Sequence, residues 1–95
     1  MFTTLAKVRI ADAQRFLEVF STHGLDKRRA HGSRGAQAFM LPDEPGVAMV
    51  LIDWADRASF DAFRADPDVP PTMRSGSALE PPQFTVLERR GQYVA

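Results

Sequence analysis

The sequence contains no cysteine. That excludes disulfides, thiolate catalysis and sulfur-ligated metals together. It also carries no excess of charge of either sign, since twelve Lys and Arg side chains balance twelve Asp and Glu. Binding to nucleic acid draws on a clustered surplus of cations, so no nucleic acid is expected as a partner. A chain with little self-repulsion is free to associate with itself. No window approaches the roughly 18 consecutive apolar residues of a membrane span. The opening "MFTTLAKVRIADAQ" lacks the basic flank and apolar stretch of a signal peptide. The expectation is a cytoplasmic protein with no membrane partner. Its 95 residues, 44% hydrophobic and 25% charged, suit one globular domain spanning 1–95.

Apolar alternation and helical spacing are what the sequence does contain. In "FTTLAKVRI" (2–10), Phe2, Thr4, Ala6, Val8 and Ile10 share one face of a strand, with Leu5, Lys7 and Arg9 on the other. Asp12 is placed to cap a helix in which Phe16, Val19, Phe20 and His23 recur at i, i+3, i+4 and i+7. Gly24 ends that helix, or it continues weakly to Gly32. A second strand is expected at 33–41, a turn in "PDEPG" and a third strand in "VAMVLIDW" (47–54). Asp56 caps a second helix carrying Phe60 and Phe63, which "DPDVPP" closes because proline cannot continue a helix. "TMRSGSALEPP" reads as loop with at most one helical turn near Met73, and "QFTVLERR" (83–90) as the fourth strand.

The order β-α-β-β-α-β predicts a ferredoxin-like α+β fold, a four-stranded antiparallel sheet with two helices on one face. The third strand complicates a monomer. Ala48, Val50, Ile52 and Trp54 point one way, yet Val47, Met49 and Leu51 on the opposite face are apolar too. An uncovered face of that kind is a larger patch than monomers usually carry. A homodimer closing two sheets face to face, a dimeric α+β barrel, removes it. The alternative is that the C-terminal tail covers Met49 and Leu51.

The stretches "HGLDKRRAHGSRG", "VLIDWADRASFDAFRADPDV" and "MRSG" followed by "PPQF" resemble the dimeric α/β-barrel superfamily, and within it the small proteins grouped with antibiotic-biosynthesis monooxygenases. The resemblance implies a ligand cavity between the sheet and the helices of each subunit. In the active monooxygenases this cavity takes a planar aromatic substrate, oxidised by O₂ without metal or flavin. Haem-degrading relatives use the same cavity with a Trp on the strand and a His on the second helix. Trp54 stands at the strand end here, but Phe63 and Asp68 occupy the positions where relatives carry His. Neither can ligate haem iron through an imidazole, so no cofactor is expected.

Five residues are candidates for chemistry. His23 on the helix stripe is the natural general base, unless it is only a packed helix-end residue. Trp54 is either a flat wall for an aromatic ligand or a plug in the core. Met73 lies in the Pro- and Gly-bounded segment 67–77, which is expected to form a lid. Arg28 and Arg34, within "DKRRAHGSR", can clamp a carboxylate or phenolate, or serve as solvated helix-end cations. His31 is expected in a solvent-facing loop, and two His without neighbouring carboxylates suggest no metal site. Two functions follow. One is a cofactor-independent monooxygenase, cyclase or isomerase acting on a small aromatic or polyketide-like molecule, its pocket lying between the sheet and the first helix near Trp54. The alternative is a non-catalytic, ligand-binding or stress-related homodimer.

Overall fold

Period-two alternation decides the sheet. A computed structural model describes residues 1–95 and places β1 at Phe2–Arg9, β2 at Ser33–Met40, β3 at Val47–Trp54 and β4 at Gln83–Leu87. All pairings are antiparallel, and the strand order is β2-β3-β1-β4. β1 and β3 form the centre, in register from Phe2 opposite Trp54 to Arg9 opposite Val47. This is the expected ferredoxin-like arrangement.

The helical connections differ from expectation: each is a pair of short helices. α1 covers Ala13–Phe20 and α2 His23–Ala30, while α3 covers Arg57–Ala65 and α4 Val69–Ser75. Asp12 and Asp56 cap α1 and α3, accepting from Arg15 N–H at 3.1 Å and Ser59 N–H at 2.8 Å. The first break has a local cause. The hydroxyls of Ser21 and Thr22 both turn back onto the Glu18 carbonyl, at 3.2 and 2.7 Å, and compete for the acceptor that would carry α1 onward. The second break lies in the prolines. Asp66 before Pro67 is extended, with ψ 117°, as a residue preceding proline prefers. Pro70 and Pro71 then fall in the first turn of α4, where a missing N–H costs nothing. Proline ends α3 here and also opens α4.

The helices cover one face of the sheet. Ala6, Val8, Ala48, Val50, Ile52 and Trp54 pack there against Phe16, Phe60, Phe63 and Val69. Gly32 turns α2 into β2 with φ +86°, and a Cβ there would lie 2.8 Å from the Ser59 hydroxyl. Only glycine fits that approach. On the opposite face, Leu5, Met49 and Leu51 are half-buried and Phe39 is 49% exposed. The segment after β4 lacks regular structure. It touches this face through Arg89, which pairs with Asp53 at 3.3 Å, while Tyr93 and Val94 lie exposed. No helix is long and apolar enough to cross a membrane.

Candidate functional site

Small side chains on the covered sheet face leave room under the helices. Ala6, Val8, Val50 and Ile52 floor a cavity of about 60 Å³, walled by Phe16 and Phe20 of α1, Phe63 of α3 and Met73 of α4. That is smaller than the roughly 150 Å³ in which a protein cavity takes up benzene. No carboxylate or imidazole lines the cavity, and Lys27 and Arg28 are its ionisable groups.

Arg28 is there because α2 has little apolar material to turn inward. Gly24 and Arg28, one turn apart, share the face that meets α1. Arg28 is only 5% exposed. Its guanidinium carbon lies 3.7 Å from the centre of the Phe20 ring, a cation–π stack. Its Nε is buried with no hydrogen-bond partner. Burial, with no acidic partner to offset it, pushes the Arg28 pKa down to about 10.

Beside the cavity a polar cluster ties α2 to the α3–α4 junction. Lys27 Nζ reaches Asp66 at 3.1 Å and Asp68 at 3.3 Å, and the His31 ring nitrogen Nε2 lies 2.8 Å from Asp66. Asp66 also accepts from the Asp68 backbone N–H at 2.8 Å. The His31 bond, then the Asp68 N–H and the Lys27 ammonium, hold the Asp66 carboxyl at about 2. Asp66 in turn raises the Lys27 pKa. His31 is thus half-buried, edge-on to Phe63 at 6.1 Å between ring centres, and not solvent-facing as its flanking cations suggest. No sequence pattern marks the pair, because the partners lie 35 residues apart.

The five candidate residues do not converge. Arg28 and Met73 line the cavity. His23 is exposed and opens onto a separate polar groove with Asp26, Lys27 and Thr72. The break at Ser21–Thr22 shifts the helical phase, so the i+7 position no longer follows the apolar stripe of α1. Trp54 is fully buried and does not line the cavity, its ring 4.9 Å from that of Phe63. Arg34 is exposed at a β-bulge in β2, which re-aims it outward. Its charge acts on Asp56 instead. The expected lid over 67–77 is mostly α4, and it forms a wall of the cavity through Val69, Thr72 and Met73. No three His, Cys, Asp or Glu side chains come together as a metal-ligand set.

A four-stranded ferredoxin-like sheet with helices on one face is an arrangement shared with solved structures. The cofactor-independent oxygenase SnoaB from Streptomyces nogalater aligns with a TM-score of 0.74 at 16% identity, over 96% of this chain and 94% of that one. A candidate antibiotic biosynthesis monooxygenase from Bordetella bronchiseptica aligns with a TM-score of 0.75 at 17% identity, over 93% of this chain and 95% of that one. Rv0793 from Mycobacterium tuberculosis aligns with a TM-score of 0.67 at 14% identity, over 98% of both chains. No family profile matches the sequence, and no curated protein is similar to it. The chain has the fold of the antibiotic-biosynthesis-monooxygenase-like proteins.

Proposed function

We propose that the protein is a cofactor-independent oxygenase that takes a small aromatic or polyketide-like molecule into the cavity beneath its helices and works as a homodimer. The observation that carries this reading is the cavity itself, an apolar space edged by Phe16, Phe20 and Phe63 with cationic Lys27 and Arg28 in its wall. Pockets of that make-up select flat apolar ligands and orient them by a few polar groups. A cation in a water-poor wall favours the ionised form of a phenol or enol. Such an electron-rich anion can donate electrons to O₂ directly. For a ring methylene the balance is CH₂ + O₂ → C=O + H₂O: one oxygen atom stays on carbon, and the other leaves as water with both hydrogens. The fold shared with an oxygenase from Streptomyces nogalater supports the same reading.

The dimer reading is supported by the far face of the sheet, where Leu5, Phe39, Met49 and Leu51 form an apolar surface that a second copy would cover. The test of activity is oxygen uptake with a panel of phenols whose keto form carries a ring methylene, in the presence of a chelator. One O₂ consumed per carbonyl formed is the expected result.

A second reading is a non-catalytic ligand-binding dimer. It is favoured by one observation: no carboxylate or imidazole faces the cavity to act as a general base. Binding of panel members without oxygen uptake would establish it and remove the oxygenase.

A further inference from the structure

Buried charge in a folded protein is normally paired, because desolvating an ion without a partner is costly. Arg28 breaks that rule within this chain. The residue is only 5% exposed, its Nε is buried with no hydrogen-bond partner, and it forms no salt bridge. The nearby acids are already engaged: Asp66 by Lys27 and His31, and Asp68 by Lys27. The chain even makes room for the unpaired group. A Cβ on Gly24 would stand 3.2 Å from Arg28 Nη1 and 3.0 Å from the Val19 carbonyl oxygen, so glycine at this position lets the guanidinium lie flat against Phe20.

We infer that the missing counter-charge is supplied by the ligand, and that the cavity takes a single aromatic ring bearing an oxyanion, a carboxylate or ionised phenol, held by Arg28. This inference rests on the reading that the cavity is the ligand site and adds the ligand's charge and size. With Phe20 covering one face of the guanidinium, its N–H edge is left for the oxyanion. The ring then lies over Val50 and Ile52, toward Phe63 and Met73. A cavity of about 60 Å³, below the roughly 150 Å³ that takes up benzene, has to widen for one ring and much further for a fused system.

The test compares benzoate with its neutral isostere benzamide, by calorimetry and by the ¹⁵N–¹H resonance of the Arg28 Nε–H. Benzoate is expected to bind about tenfold more tightly than benzamide, as a charge-assisted hydrogen bond gains over a neutral one. Only benzoate should move the Nε–H signal. Arg28→Met should erase the preference, bringing benzoate and benzamide to equal affinity. Without ligand, it should also raise the melting temperature, because it removes an unpaired buried charge. An arginine that serves only packing would lower the melting temperature when replaced. Equal affinities for acid and amide would overturn the oxyanion inference and leave the cavity as a ligand site. Failure of both to bind the folded protein would overturn the cavity reading as well.

Discussion

The indole N–H of Trp54 donates to the Thr4 hydroxyl at 3.0 Å, and both side chains are completely buried. The bond joins the two central strands, since Thr4 on β1 lies opposite Ile52 on β3. It satisfies the one polar atom of the largest core side chain. Trp54 therefore has a packing role that any ligand-binding role would have to sit on top of. Trp54→Ala should cost about 3–5 kcal/mol, and Thr4→Val about 1–3 kcal/mol by orphaning the indole N–H. Urea denaturation checks both. Trp54→Phe should keep ligand affinity while losing stability. If it lost affinity at unchanged stability, Trp54 would be a ligand wall.

Acid should loosen the α2 to α3–α4 junction. The Asp66 carboxyl is held at about 2, below its unfolded value near 4. The folded state therefore binds fewer protons than the unfolded state within that window. The contribution is complete above about pH 4 and is lost as pH falls toward about 2. Asp66→Asn should flatten this part of the stability–pH curve, followed by circular dichroism at fixed urea. An unchanged acid limb would show that the His31–Asp66–Lys27 cluster does not link protonation to folding.

Association should depend on the sheet face away from the helices. Light scattering at micromolar concentration should give about twice the chain mass. Leu51→Lys should shift the protein toward monomer, whereas Arg57→Ala on α3, across the sheet, should not. A folded wild-type monomer would contradict the dimer.

His23 opens onto the outer groove and not the cavity. His23→Ala should therefore leave ligand affinity and any oxygen uptake within about twofold, a change of less than 0.5 kcal/mol. A loss of turnover with binding intact would make His23 a general base reached through a rearrangement of α2.

The strands and both Asp caps were legible because alternation and capping are local. The exception is β4, expected over 83–90, which stops at Leu87 before the charged run of Glu88, Arg89 and Arg90. Positions 47–54 read correctly as a strand apolar on both faces. The helix breaks were not legible in the same way. The turn at Ser21–Thr22 depends on two hydroxyls returning to one carbonyl, and carrying the α1 period across it put His23 on the wrong surface. The proline run was read for what it ends, while its fitness for a first helical turn also opens α4. Arg28 was indistinguishable by composition from its neighbours Lys27 and Arg29. Its burial follows from helical phase, which pairs it with Gly24 against α1. His31 and Asp66 meet only once the fold has brought α2 against the α3–α4 junction.

The most direct test of the account is a crystal structure of the protein with benzoate. The account predicts the ring beneath α1 and α4, over Val50 and Ile52, with its carboxylate hydrogen-bonded to the Arg28 guanidinium. Benzoate bound only in the groove beside His23, or a cavity left empty at saturating ligand, would contradict it.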